Sequence, residues 1–93
     1  MKGIHCHVKA IIDGKLYDTK KAELIIETNE KAIFRTENEN YFMAKVEYGR
    51  TQYGTDVYQY FDIEKIDENY LKQFLGKYFV DKYIELFGKV EDA

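Results

Sequence analysis

The residues best equipped for chemistry lie at the start of the chain, where His5-Cys6-His7 is the one local cluster of soft metal ligands. An extended backbone sends alternate side chains to opposite faces, so the two histidines share a face and Cys6 takes the other. The three cannot ligate one ion without distorting the strand. Two histidines alone fall short of the three or four protein ligands that zinc sites use. The pattern therefore predicts a solvated histidine face, with Cys6 as a small core residue and not a nucleophile. Acids close in sequence are the other candidates: Glu37 with Glu39, Asp62 with Glu64, Asp67 with Glu68. Acid/base catalysis needs surroundings that drive two pKa values apart, whereas acids in turns and at helix starts are explained by solubility and capping. Gly3, Gly14, Gly49, Gly54, Gly76 and Gly88 are dispersed and form no phosphate-binding loop or dinucleotide fingerprint. No catalytic apparatus, cofactor or metal is expected.

A possible aromatic face is more informative. If Phe42, Ala44, Val46 and Phe61 point into a core, then Tyr41, Met43, Tyr58 and Tyr60 point out, beside Lys45, Glu47, Asp62 and Glu64. Tyr and Met bury much apolar area while Tyr keeps a hydroxyl handle, a combination suited to protein recognition. Tyr41, Met43, Tyr58, Tyr60, Asp62 and Glu64 are thus the candidate partner-binding residues. Helices or a partner subunit could cover the same face instead. A rival reading stacks single-stranded bases on Tyr41, Tyr58 and Tyr60, with Arg35, Lys45 and Arg50 on phosphates. A homodimer would bury the face symmetrically.

These side chains need a sheet to position them. Ile4, Cys6, Val8, Ala10 and Ile12 alternate with polar or exposed positions and predict one strand. Asp13-Gly14 supplies a two-residue hairpin turn, with Lys15-Leu16-Tyr17 returning. Residues 18–27 fit a helix capped by Asp18 or Thr19, or a strand, and a short helical turn leading into a strand suits both signals. Lys31 to Thr36 and Tyr41 to Tyr48 form the clearest hairpin, with Ala32 and Phe34 facing Phe42, Ala44, Val46 and Tyr48. Val57 to Ile66 follows as a strand with Val57, Phe61 and Ile63 inward, although Gln59 fits neither face. The period then changes. Asp67 caps a helix carrying Tyr70, Leu71, Phe74, Leu75 and Tyr78, with Gly76 as its left-handed end. Asp81 caps a second, with Tyr83, Ile84 and Phe87 as its stripe and Gly88 closing it. The fold class is α+β: a small antiparallel sheet of four to five strands with two C-terminal helices packed on one face.

A chain of 93 residues is one domain, 1–93, that removes roughly 60 to 70% of its extended surface on folding. Hydrophobic residues at 45%, with 9 Tyr and 6 Phe, exclude a disordered composition. A net charge of −3 gives no overall reason to seek nucleic acid or an anionic membrane. One cysteine permits no internal disulfide, the N-terminus lacks a signal-peptide apolar run, and no segment approaches the ~20 apolar residues of a membrane span. The expected compartment is the cytoplasm.

The ordered segments Tyr17-Asp18-Thr19, Ala22-Glu23-Leu24-Ile25, Ile33-Phe34-Arg35-Thr36, Asn40-Tyr41-Phe42 and Tyr83-Ile84-Glu85-Leu86-Phe87-Gly88 carry a resemblance. Over roughly residues 16 to 91 the chain resembles a family of small, mostly uncharacterised proteins of plasmids, conjugative elements and phages of Gram-positive bacteria. Glu39 replaces that family's turn glycine, so Asn38 or Asn40 would supply the positive φ there. Some small proteins of such elements inhibit bacterial defence, including anti-CRISPR proteins that bind Cas9 or its guide complex. The resemblance implies a mobile-element setting; with the acidic balance and the missing catalytic motif, the expected function is a non-catalytic, stoichiometric inhibitor that binds a protein target, a CRISPR effector such as Cas9 or its guide complex.

Overall fold

The tightest link between sequence and backbone is Asp13-Gly14. Both residues adopt positive φ, 53° and 76°, in the mirror-image turn whose twist matches that of paired strands. The turn joins strand β2 (Lys9–Ile12) to β3 (Lys15–Asp18) as an antiparallel ribbon. The computed structural model describes residues 3–93.

The remaining strands form a second, five-stranded sheet in the order β1-β7-β6-β5-β4. Its strands are β1 (Ile4–Cys6), β4 (Glu23–Glu27), β5 (Lys31–Arg35), β6 (Tyr41–Arg50) and β7 (Asp56–Ile66). β4 to β7 run as antiparallel neighbours, and β1 joins the edge parallel to β7. Residues 18–27 resolve as a tight turn followed by β4: the Lys21 and Ala22 amides both donate to Asp18 O. In the β5–β6 turn the left-handed residue is Glu39 itself, at φ 64°, and not Asn38 or Asn40. Its amide donates to Thr36 O over 2.9 Å, which holds the conformation.

The expected single strand from Ile4 to Ile12 is broken at His7 and Val8. There the chain leaves β7 and crosses to the ribbon, and Thr19 fixes the crossing through its backbone amide, which donates to Val8 O over 3.0 Å. The break changes the phase of the alternation. His5 turns inward while Ile4 and Cys6 turn out, the reverse of the expected faces, and Val8 and Ile12 then pack on the core.

The sheet is curled enough for its two edges to touch: His5 on β1 reaches Glu27 on β4. Inside the curl, Tyr17 of the ribbon packs on Ala32, Phe34, Phe42, Ala44, Val46 and Tyr60 of the sheet. Phe34 stacks on Phe42 at 5.0 Å and Tyr17 meets Phe42 edge-on. Full burial of an aromatic or large aliphatic side chain contributes about 1.5–3 kcal/mol each.

The sheet's other face packs Ile25 and Ile33 against Leu71 and Leu75 of α1 (Glu68–Tyr78). Asp67 caps α1, its Oδ1 accepting from the Tyr70 amide over 2.8 Å. Gly76 does not end the helix; α1 runs through it to Tyr78, and the chain leaves helical geometry at Phe79. α2 (Val80–Phe87) begins before Asp81, which sits in its first turn and makes no capping bond. Gly88 closes α2 at φ 94°. Among the described residues no helix is long and apolar enough to cross a membrane.

Candidate functional site

Polar and titratable side chains converge where the curled sheet closes. Glu27 ends β4 and holds two partners: His5 Nε2 lies 3.3 Å from Oε1, and the Tyr60 hydroxyl donates to Oε2 over 2.7 Å. The His5 ring stacks on Tyr58 at 4.9 Å and lies 5.7 Å from Tyr60, which also meets His7 at 5.7 Å and Phe34 at 5.3 Å. His7 Nδ1 lies 3.0 Å from the buried Thr19 Oγ1. The Thr19 hydroxyl donates to Val8 O and its oxygen accepts from the Val8 amide. With that hydroxyl hydrogen committed, the Nδ1 of His7 is the donor to Thr19.

The arrangement places a histidine beside a carboxylate, the pairing that orients a catalytic base. Its third member is missing. Cys6 points to the opposite, exposed face, and the Tyr60 hydroxyl is already spent on Glu27. Burial first, and then the Glu27 carboxylate, push the Tyr60 pKa well up, so it stays a protonated donor. Among the described residues no buried side-chain N or O atom lacks a partner, and no group of three or more His, Cys, Asp or Glu is arranged to hold a metal ion. The cluster is a clasp: Glu27 on one sheet edge ties down β1 on the other edge and its neighbour β7.

The six candidate recognition residues do not share a face. Tyr41 and Met43 lie on the helix side, and the Tyr70 hydroxyl sits 3.8 Å from Met43 Sδ. Tyr58 and Tyr60 lie on the inner side, Tyr58 half-buried and Tyr60 only 3% exposed. The base-stacking arrangement of Tyr41, Tyr58 and Tyr60 is lost with that face. Asp62 and Glu64 are exposed.

The physical cause is a bulge. Met43 pairs with Glu64 and Lys45 with Phe61, so Asp62 and Ile63 together oppose Ala44. Asp62 takes the bulge in a left-handed backbone, φ 54°, which Asp tolerates better than most residues. The extra residue allows Tyr58, Tyr60 and Ile63 to serve one core despite their mixed spacing. The failure of Gln59 to fit either face, followed by an Asp between Phe61 and Ile63, was the sequence signal of this phase change.

The bulge leaves Phe61 38% exposed, on the helix-side face beyond the helices' cover. Register places Lys45 opposite Phe61, Glu47 opposite Gln59, Cys6 beside Gln59 and Ile4 beside Val57. Lys45 Nζ lies 3.4 Å from Asp62 Oδ2. This strip of exposed sheet mixes apolar and acidic side chains, and Phe61 was the residue that alternation assigned to the core. Farther along β6 and β7, the Tyr48 hydroxyl donates to Asp56 over 2.7 Å and Arg50 Nε donates over 3.0 Å. Tyr48 and then Arg50 hold the Asp56 carboxyl below its ordinary range, while the same bond raises Tyr48.

Set against known proteins, the chain matches no family model, no curated protein and no solved structure.

Proposed function

We propose that this chain is a stoichiometric binding protein of a mobile genetic element, an inhibitor whose target is a host defence protein such as Cas9 or its guide complex. The observation that carries binding over turnover is the contrast between the clasp and the bulge. The groups with catalytic potential are consumed in closing the sheet, while a strained bulge turns Phe61 out beside Asp62 and Glu64. Bulges re-aim side chains at functional edges, and an aromatic flanked by acids suits a basic protein groove. The mobile-element setting rests on the ordered segments from Tyr17 to Gly88.

The test mixes purified chain with a reconstituted Cas9–guide complex and measures both binding and target-DNA cleavage. Stoichiometric inhibition is expected, with Phe61→Ala and the pair Asp62→Lys/Glu64→Lys each weakening binding at least tenfold. Binding unchanged by all three substitutions removes the bulge as the contact. No complex with any Cas9 tested removes the target class. A dimer in solution that buries Phe61 assigns the strip to self-association.

A further inference from the structure

The two helices meet at an elbow whose sequence nearly mirrors itself in chemistry: Lys77, Tyr78, Phe79, Val80, Asp81. Phe79 is the one residue between α1 and α2 and lies outside helical geometry. Its ring turns in to meet Phe74 at 5.6 Å, while Tyr78 and Val80 on either side of it are 61% and 53% exposed. Leu24 of the edge strand β4 lines the same groove as those two, and Ile84 stands one turn beyond Val80 on α2; both are exposed. Exposed apolar residues scattered singly need no explanation, but four gathered at one elbow do.

The charges around them balance. Lys77 and Asp81 are exposed, and among the described residues neither holds an opposite charge within 4.0 Å. Lys77 Nζ lies instead over the Tyr78 ring, 5.4 Å from its centroid. Lys82 and Glu85 pair with each other at 3.4 Å, and the remaining charged residue along the groove is Glu27, whose carboxylate is taken up by the clasp. A lysine ending one helix and an aspartate opening the next each suit the helix dipole. That accounts for the two charges and not for the apolar side chains set between them.

We propose that this elbow is the contact between two copies of the chain, related by a two-fold axis that passes at Phe79. In a two-fold contact residue i meets residue j, and j meets i in return. Running the elbow against its own copy sets Lys77 against the second copy's Asp81 and Tyr78 against the second copy's Val80, and both pairs recur across the axis. Charge complementarity favours this occupant over a partner of one sign. Outside the clasp, Lys77 and Lys82 equal Asp81 and Glu85 in number, so neither a basic nor an acidic partner finds a net opposite charge here. A reversed copy satisfies both free charges at once and covers Tyr78, which joins a large apolar ring to a hydroxyl. The contact is separate from Phe61 and does not rest on defence inhibition.

Sedimentation equilibrium of the full chain over a range of concentrations reads the contact without any target protein. A reversible equilibrium between monomer and dimer is expected. Lys77→Asp and Asp81→Lys each weaken the dimer roughly tenfold, because each substitution acts twice across the axis and turns an exposed attraction into a repulsion. The double variant Lys77→Asp/Asp81→Lys restores it, and so does mixing the two single variants. Restoration cannot come from firmer helices, since the double variant sets both charges against the helix dipoles. Val80→Asn weakens the dimer while circular dichroism stays that of the parent. A chain that is monomeric at every concentration overturns the proposal, as does a dimer indifferent to these substitutions, or a loss in the single variants that the double variant does not recover. A dimer dissolved by Phe61→Ala and untouched by the elbow variants also overturns it, and assigns self-association to the exposed strip.

Discussion

Tyr60 and Phe61 are neighbours in sequence and opposites in the fold. Tyr60 closes the clasp, buried against Phe34 and bonded to Glu27; Phe61 rides the bulge into solvent. Both regions set an acid beside aromatic rings, yet the clasp leaves none of its buried polar side-chain atoms without a partner, and the bulge stores strain. Residue type therefore says little about role here. What decides it is whether the backbone brings the groups inward to face each other or turns them out.

The largest expected effect falls on the clasp. Glu27→Ala leaves the buried Tyr60 hydroxyl and His5 without their acceptor and is expected to cost about 3 kcal/mol, the range for removing one charged partner of buried hydrogen bonds. Phe61→Ala, on the exposed strip, is expected to cost under about 1 kcal/mol. Urea unfolding of both proteins measures the difference directly. Equal losses would erase the distinction between a region that holds the fold and one free to bind.

The bulge gives the next effect. A β-branched residue in left-handed backbone is strained by about 1–2 kcal/mol, so Asp62→Val is expected to destabilise by that amount. Asp62→Gly is expected to stay within about 1 kcal/mol of the parent, because relief of strain offsets the lost Lys45 contact and the greater freedom of the unfolded chain. If the two variants unfold at the same urea concentration, the bulge is not a strained feature and Phe61 is exposed for another reason.

How much of this was legible follows from where alternation holds. Asp13-Gly14, the Ala32/Phe34 and Phe42/Ala44/Val46 faces and the Asp67 cap are local signals, and each appears in the fold as read. The helices also lie on one face as read, but the ribbon's cover of the other depends on a long-range crossing. Beyond the helix signals at Gly76 and Asp81, the turn at Glu39 and Tyr48, which was expected inward and is exposed, the errors sit at two phase changes. One is the break at His7 and Val8, fixed by Thr19 from a distant turn. The other is the Asp62 bulge, set by pairing with β6. Glu27 was invisible as a hub because its partners lie 22 and 33 residues away in sequence. The helix-covered alternative held for Tyr41 and Met43, while the ribbon and curled core claimed Tyr58 and Tyr60.

Alkaline titration sharpens the comparison by separating tyrosines of the two kinds. An unperturbed tyrosine side chain ionises at about pH 10, whereas Tyr60, with its pKa raised by burial and by Glu27, stays protonated there. Between the two pKa values the unfolded chain has lost a proton that the folded chain keeps. Stability from this group is therefore complete below about pH 10 and falls as pH rises towards the folded pKa. Absorbance at 295 nm should show one fewer late-titrating tyrosine in Tyr60→Phe, whose stability should fall less steeply over the same range. A titration curve unchanged by Tyr60→Phe would mean that the clasp does not hold this hydroxyl.

The smallest effect belongs to the far end of β6 and β7, where Tyr48, Arg50 and Asp56 form an exposed counterpart of the clasp. Asp56 has its carboxyl pKa lowered by Tyr48 and Arg50. The sign is opposite to that of Tyr60: the stabilisation is present above about pH 4 and disappears as pH falls through the lowered folded value. Solvent screens these partners, so the consequence is local. Amide exchange in Asp56→Asn should quicken at Thr51 and Gly54, whose amides close the turn onto Thr55 O and Thr51 O, while exchange at Phe34 and Phe42 stays as in the parent. Acidifying the parent below pH 4 should reproduce that pattern after correction for the intrinsic pH dependence of exchange. Loss of protection at Phe34 or Phe42 in the same variant would show that the exposed cluster is coupled to the core, and that the two kinds of acid–aromatic contact are one cooperative unit.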